Sequence, residues 1–179
     1  VSDPGVIHFI NKLGVKKPLH LSTQANTTNI NAVKFWEDCG IKRIILAREL
    51  SLKEIEYICK NSSVEIEVFI HGAMCVSYSG RCYLSHYMTK REANRGECSH
   101  PCRWKYYLVE ETRQGEFFEV EEDKYGSYIL NSKDLCLIDY IGTLKDIGVN
   151  AFKIEGRMKS IFYTSIVTAI YRKVLDKLA

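Results

Sequence analysis

Short apolar segments alternate with amphipathic segments along the first 71 residues, and this pattern predicts repeated strand-helix units. Residues 29–39 and 52–60 place apolar side chains at helical spacing and predict two helices, the second capped by Ser51. Three segments predict strands: PLHLSTQ (18–24), RIILARE (43–49) and EIEVFIH (65–71). Successive units of this kind are typical of a parallel sheet.

The second half of the chain predicts a hairpin and then a further unit. KYYLVEE (105–111) and EFFEVEE (116–122), separated by TRQG, predict two antiparallel strands. SKDLCLIDYIGTLKDIG (132–148) predicts a helix, AFKIEG (151–156) a fourth strand and residues 160–178 a long closing helix.

An open doubly wound sheet and a stretch of a (βα)8 barrel both fit this order, and the positions of polar residues favour the barrel. Active sites of barrels lie at the carboxyl ends of the strands. Polar residues stand at or just after the four predicted strand ends: Gln24, Arg48, Glu49, His71, Glu155 and Arg157. We therefore predict an α/β fold in which residues 1–179 form one domain, the C-terminal part of a TIM-like barrel, with an insertion at 72–131.

Only about half of the strands of such a barrel are found, so upstream strands are expected to be missing. The edge left open is expected to be apolar and covered by another chain or by self-association.

The composition narrows the class of protein. With 46% hydrophobic and 26% charged residues, the chain is typical of a globular protein. It has no apolar run near the ~20 residues of a membrane span, and its first residues do not resemble a signal peptide, so a cytoplasmic location is the expectation. The net charge of +3 does not by itself indicate nucleic-acid binding.

Four of the seven cysteines are grouped with the spacing C-x6-C-x15-C-x3-C: Cys75, Cys82, Cys98 and Cys102. Four thiolates suit a structural zinc ion or a [4Fe–4S] cluster, and four metal-free thiols remain the alternative. Zinc ribbons usually contain C-x2-C pairs, whereas wider loops suit the separate corners of a cluster. The remaining cysteines, Cys39, Cys59 and Cys136, are expected to be buried thiols, with Cys136 as a reserve ligand.

Two chemical roles follow from the polar residues at the strand ends. His71 and Glu155 could transfer protons, and Arg48 and Arg157 could bind an anionic cosubstrate. Internal salt bridges, such as Glu49 with Arg48 or Glu155 with Arg157, are the structural alternative. The sequence contains no HExxH or GxSxG motif, which weakens a peptidase interpretation.

Basic and aromatic residues alternate in RCYLSHYMTKREANRG (81–96) and CRWKYY (102–107), a pattern that favours RNA binding. The candidate phosphate-binding residues are Lys90, Arg91, Arg95 and Lys105. The alternative is a solvated basic loop whose aromatic side chains pack inward.

Four segments carry a resemblance to a known family: EVFIHGAMCVSYSGRCYLS, NRGECSHPCRW, LNSKDLC and KIEGRMKS. With them, the chain resembles peptidase family U32, the collagenase-like proteases. The resemblance implies a TIM-like barrel and, in several members, a [4Fe–4S] cluster. Members include tRNA uridine and ribosomal RNA cytidine hydroxylation proteins, proteins that hydroxylate a quinone precursor, and collagenases.

Within that family, CSHPCRW is similar to the tRNA-type members, which carry the C-x3-C pair before Arg-Trp. The resemblance also implies prephenate as a hydroxyl source. We therefore expect an iron-sulfur enzyme that hydroxylates a tRNA uridine at its 5-position. A collagenase-like peptidase is the alternative, and a non-catalytic RNA-binding or scaffold subunit is the second.

Overall fold

The computed structural model describes residues 1–104, 106–109, 111–119 and 134–178. In this part of the chain six α-helices form: Pro4–Lys12 (α1), Ile30–Asp38 (α2), Leu52–Asn61 (α3), Leu84–Thr89 (α4), Ile141–Asp146 (α5) and Ile161–Lys177 (α6). The strands are His20–Leu21 (β1), Arg43–Ile45 (β2), Glu65–Ala73 (β3), Tyr107–Leu108 (β4), Phe118–Glu119 (β5), Asp134–Cys136 (β6) and Ala151–Glu155 (β7).

Strand β3 organises a five-stranded mixed sheet. On one edge it pairs in parallel with β2, which in turn pairs in parallel with β1. On the other edge it pairs in parallel with β7. The short strand β6 pairs antiparallel with the last residues of β3. The four parallel strands therefore end at one side of the sheet, where their following residues can meet.

Side-chain caps place the starts of four helices. A capping box forms in α3, since Ser51 and Glu54 each accept from the other's backbone N–H. Each of the other three helices begins with a side chain that accepts an N–H of the first turn: Asp3 for α1, Asn29 for α2 and Ser160 for α6. These local signals fix where each helix starts against the sheet.

The core lies between the sheet and the helices. Ile44 and Ile66 of adjacent parallel strands are 0% and 1% exposed, and Leu144 of α5 is 0% exposed. All three belong to one apolar cluster that also takes in residues of α2, α3 and α6. Burial of this continuous apolar layer is the main contribution to stability.

The structure corrects the interpretation of residues 132–148 as a single helix. Asp134–Cys136 forms a strand, and the helix that follows is limited to Ile141–Asp146. Pairing with the end of β3 outweighs the local preference of this segment. The antiparallel pair of β4 and β5 agrees with the predicted hairpin, although its residues 105, 110 and 120–122 lie outside the described part.

Two helices were not anticipated, α1 and α4. For α1 a signal was present, because Asp3 is a capping residue and Pro4 is favoured in the first turn.

The described strands form an open sheet, so the partial barrel remains a prediction. Large apolar side chains of α1 and α6 are exposed, including Phe9 at 58% and Phe162 at 75%. Self-association through an open barrel edge stays a prediction. No helix in the described ranges is long and apolar enough to cross a membrane.

Candidate functional site

A cavity of about 190 Å³ opens at the carboxyl ends of the parallel strands. Residues that follow the strands form one wall, and the cysteine-rich segment forms the other. The cavity is lined by most of the site residues predicted from the sequence: Gln24, Arg48, Glu155, Arg157, Cys75, Cys82, Cys98 and Cys102. The fold thus brings the four grouped cysteines and the strand-end residues to one place.

Backbone N–H groups are directed at sulfurs of the grouped cysteines. Three of them accept from the residue two positions later, each at 3.4 Å: Cys75 from Ser77, Cys82 from Leu84 and Cys98 from His100. Against the larger effect of burial, the backbone of Val76 acts to lower the pKa of Cys102. Donors directed at sulfur favour its negatively charged form, so the backbone around these residues suits thiolates.

The four thiols lie close enough to influence one another's ionisation. Burial raises the pKa of Cys75, and the neighbouring thiols of Cys82 and Cys102 raise it further. The Arg48 guanidinium opposes that rise in pKa. Burial also raises the pKa of Cys102, and Cys98 adds to the effect. Ionising Cys75 and Cys102 together therefore requires a compensating positive charge.

The first cysteine loop is held to the sheet by Ser79, which is 2% exposed. Its φ of 51° lies in the left-handed region that side chains rarely adopt. Its N–H donates to Glu49 Oε1 at 2.8 Å, and its hydroxyl donates to Asn26 Oδ1 at 2.5 Å. These bonds attach the loop to the segments that follow β1 and β2.

Gln24 links the strand end to two points of the cysteine-rich segment. Its Nε2 donates to the backbone carbonyl of Asn94 at 3.3 Å, and its own backbone carbonyl accepts from Arg81 Nε at 2.7 Å. Asn94 Oδ1 in turn accepts the N–H of Cys82 at 3.1 Å. These contacts give Gln24 a positioning role.

Arg48 presents a mostly buried cation to the cavity. Its guanidinium lies 3.9 Å from the Phe69 ring centroid and 4.0 Å from Glu155 Oε2, and its side chain is 12% exposed. Burial lowers the pKa of Arg48, with Glu155 acting in the opposite direction. Glu49, the neighbour in sequence, bonds to Ser79 instead. Within the described residues the guanidinium makes no hydrogen bond, so its donors are available to an anion in the cavity.

Arg157 closes another side of the cavity. Its guanidinium packs against Gly96, where a Cβ atom would overlap it. Its backbone N–H donates to Glu155 Oε1 at 3.3 Å. Arg157 is exposed. Among the described residues, the ion pair of Glu155 is the long one with Arg48, and the predicted pair with Arg157 does not form.

His71 was expected at the same mouth, but the structure places it on the opposite face of the sheet. The pairing of β3 with β7 shifts by one residue between Phe69 and His71, which is a β-bulge. A bulge reverses the alternation of side chains, so His71 turns toward α6. There its Nδ1 lies 3.3 Å from the Tyr171 hydroxyl. The expectation that His71 shares the cavity is wrong.

Asp134 was not predicted from the sequence, yet it anchors the second cysteine turn. Its carboxylate accepts from Arg103, which directly follows Cys102, and from the Tyr163 hydroxyl at 3.1 Å. Lys159 lies 3.4 Å from the same carboxylate. In the sequence, Asp134 is marked only as an acidic residue within a segment that is predicted to be a helix.

The sequence model of peptidase family U32 matches residues 1–179. The chain belongs to this family. The resemblance drawn from the cysteine-rich motifs is thereby confirmed over the whole chain.

Named relatives of this U32 chain fall into two functional groups. It is 40% identical to tRNA hydroxylation protein P of Escherichia coli, covering 100% of this chain and 48% of the relative. It is 45% identical to the 23S rRNA 5-hydroxycytidine synthase of that species, and the match covers 88% of this chain and 23% of the relative. It is also 36% identical to a collagenase of Porphyromonas gingivalis, covering 98% and 43%. The chain spans less than half the length of each relative, and no solved structure matches it.

The remaining cysteines of the U32 chain lie away from the cavity. Cys39 and Cys59 are half-buried and pack against the apolar core, in agreement with their interpretation as core thiols. Cys136 is exposed, which corrects its interpretation as a buried thiol, and its sulfur lies 3.9 Å from the Tyr171 hydroxyl. It does not line the cavity with the other four.

The predicted RNA-contacting residues lie on the outer side of the cysteine-rich segment. Lys90, Arg91 and Arg95 are all exposed. Lys105 lies outside the described residues. Tyr83 and Tyr87 are each 77% exposed, so these two aromatic side chains do not pack inward.

Proposed function

We propose that Cys75, Cys82, Cys98 and Cys102 hold one [4Fe–4S] cluster. The observation that carries this proposal is that all four line one cavity and that the sulfurs of Cys75, Cys82 and Cys98 each accept a backbone N–H. Among the described residues, no group of three or more His, Cys, Asp or Glu side chains is arranged to hold a metal ion at one point. A cluster binds each thiolate at a separate iron, so it is compatible with sulfurs that surround a cavity.

We further propose that the protein carrying this chain hydroxylates a base of RNA, with the 5-position of a tRNA uridine as the substrate. The names of the two Escherichia coli relatives support RNA hydroxylation. The exposed cations beside the cavity are suited to phosphate contacts. A cytoplasmic location and a partial (βα)8 barrel belong to the same proposal.

The chain's own residues supply binding and proton transfer next to the cysteines. Arg48 and Arg157 bind the carboxylates of an anionic cosubstrate, for which the family resemblance names prephenate. Glu155 holds or moves a proton at the cavity wall, where it lies 4.0 Å from Arg48. When bound, the cluster supplies electron-transfer chemistry.

The collagenase relative makes a peptidase the second candidate. Ser79 is a hydroxyl that lines the cavity, and it donates to Asn26, an amide that cannot act as a base. Thiolates bound to a cluster are likewise unavailable as nucleophiles. RNA hydroxylation therefore accounts for more of the site than peptide cleavage does.

Two measurements test the proposal. Anaerobically purified protein is analysed for iron and sulfide, and four iron atoms and four sulfides per chain are expected. The gene is then deleted, and the nucleosides of total tRNA and ribosomal RNA are examined by mass spectrometry. Loss of a hydroxylated uridine, restored by the wild-type gene but not by Cys102→Ala, supports the proposal.

The opposing result is equally definite. An unchanged nucleoside profile, together with cleavage of collagen or gelatin by the purified protein that is lost in Glu155→Gln, contradicts hydroxylation and supports the peptidase. A scaffold subunit would keep its iron and bind RNA, while the nucleoside profile would not depend on Arg48 or Glu155.

A further inference from the structure

Helix α4 reverses the usual distribution of polar and aromatic side chains. Ser85 is 0% exposed, whereas Tyr83, directly before the helix, and Tyr87 within it are each 77% exposed. A short helix that docks by apolar burial turns its aromatic rings toward the protein. Here the hydroxyl faces inward and both rings face solvent.

A network of hydroxyl groups fixes this orientation. The Ser85 hydroxyl accepts the N–H of Ser99 at 3.0 Å, and its oxygen lies 3.0 Å from the Ser99 hydroxyl. Thr89, one turn later, lies 2.8 Å from the same Ser99 hydroxyl and donates to the carbonyl of Ser85. Ser99 sits between Cys98 and Cys102, so α4 is tied to the cysteine turn with its tyrosines outside.

The two exposed rings lie four residues apart, and one of them is next in sequence to a residue of the cavity wall. Residues four apart project from the same face of a helix about one turn from each other. Tyr83 directly follows Cys82, which lines the cavity. Tyr83 and Tyr87 together form a short aromatic row, which begins in the chain directly after a cavity-lining cysteine.

The charges around the aromatic row are mainly positive. Of the two acids between Cys75 and Cys102, Glu92 is paired with His86 at 2.8 Å, and Glu97 is exposed. The exposed cations on this segment are Arg81, Lys90, Arg91 and Arg95. Exposed rings beside cations are typical of surfaces that bind single-stranded nucleic acid, since each base has a face that can stack on a ring. The bases of a duplex are stacked inside it and cannot reach such rings.

We propose that Tyr83 and Tyr87 stack two unpaired bases that neighbour the nucleotide entering the cavity, so that the chain selects single-stranded RNA over duplex. This inference rests on the proposed function in taking RNA as the partner. It adds a stacking surface and a requirement for unpaired nucleotides that phosphate contacts alone would not impose.

The test measures binding of a short fluorescent single-stranded RNA, and of the same strand annealed to its complement, by anisotropy. Tyr83→Ala and Tyr87→Ala are each expected to weaken binding of the single strand by about 5- to 150-fold. Tyr83→Phe and Tyr87→Phe retain a ring and should bind nearly as the wild type does. Tyr57→Ala is the matched control, because Tyr57 lies on α3 and is 58% exposed.

A second readout separates stacking from charge. The tyrosine substitutions should leave the slope of affinity against salt concentration unchanged, whereas Lys90→Ala and Arg91→Ala should reduce it. Equal binding of single strand and duplex, or full affinity in the Tyr83→Ala, Tyr87→Ala double variant, overturns the inference.

The outcome is independent of the hydroxylation test. Tyrosine-dependent binding with an unchanged nucleoside profile supports the stacking surface and removes the proposed reaction. A changed nucleoside profile with tyrosine-independent binding supports the proposed reaction and removes the stacking surface. The aromatic row would then be assigned to contact with a protein partner.

Discussion

The carboxylate of Asp134 accepts a hydrogen bond from the guanidinium of Arg103, and this contact ties strand β6 to the turn that carries Cys98 and Cys102. The backbone of Asp134 pairs with Ala73, two residues before Cys75. One residue, through its side chain and its backbone, therefore connects both ends of the cysteine-rich segment to the sheet. Its other partners, Tyr163 and Lys159, extend the connection to α6 and the residues just before it.

Replacing Asp134 with Ala should lower the free energy of unfolding by about 1–3 kcal/mol, because it removes the charge-assisted hydrogen bond that the partly buried carboxylate of Asp134 accepts from Arg103. Urea unfolding measures the change. Asp139→Ala is the control, since Asp139 is exposed and has no ion pair in the described residues. Equal effects of the two substitutions would mean that the contact with Arg103 contributes nothing.

The contribution of Asp134 should also depend on pH. Burial alone would raise the pKa of Asp134, but the hydrogen bonds from Arg103 and Tyr163 outweigh it and hold the pKa below its usual value. The stabilisation is thus complete well above the unfolded-state pKa of about 3.9, and is lost as pH falls through the lower folded-state value. Wild type and Asp134→Ala should converge in stability in acid, which urea unfolding at several pH values will detect. A difference that stays constant down to low pH would contradict this assignment.

Substitution of any one of the four cavity cysteines by Ala should sharply lower the iron and sulfide bound per chain. The reason is that all four cysteines line the cavity and each would bind a separate iron of the cluster, so the remaining three cannot replace a missing one. Iron and sulfide analysis after anaerobic reconstitution measures the loss. Alanine at Cys39, Cys59 or Cys136 should retain full iron, and loss in Cys136→Ala with full iron in Cys102→Ala would show that the fourth ligand is assigned wrongly.

The sequence was sufficient to predict the cavity wall where local rules apply. Arg48 and Glu155 were identified because they follow strands, and strands of a parallel sheet end together. His71 was placed wrongly because a β-bulge cannot be recognised from apolar alternation, and a shift of one residue reverses every later side chain. Asp134 was not identified because its strand depends on pairing with a distant part of β3, which local propensity does not encode.

His71→Ala and Glu155→Gln should therefore have different effects. His71 contacts the Tyr171 hydroxyl, which also donates to the buried carbonyl of Ile70 at 2.9 Å, so its loss should mainly destabilise the fold. Glu155 lines the cavity, and Glu155→Gln should remove the hydroxylated nucleoside while leaving thermal stability nearly unchanged. Nucleoside mass spectrometry of complemented deletion strains and thermal unfolding of the purified variants measure both effects. A stable, fully assembled His71→Ala variant that fails to complement would restore the catalytic role first expected for His71.

Substitution of Gly72 and of Gly80 by Ala separates the effect of backbone strain from the effect of a steric clash. Both have positive φ, at 111° and 73°, so Ala at either position adopts an unfavourable backbone conformation that costs about 1–2 kcal/mol. At Gly80, no atom of the described residues lies within 4 Å of the added Cβ, so backbone strain should be the whole loss of stability. At Gly72 the Cβ would overlap the carbonyl oxygen of Glu155, so β7 must move away from β3 and carry Glu155 with it. Gly72→Ala should thus be the more destabilising by urea unfolding and should also reduce hydroxylation in the complemented strain, while Gly80→Ala should retain it. Equal losses in the two variants would show that the close approach of β3 and β7 does not position Glu155.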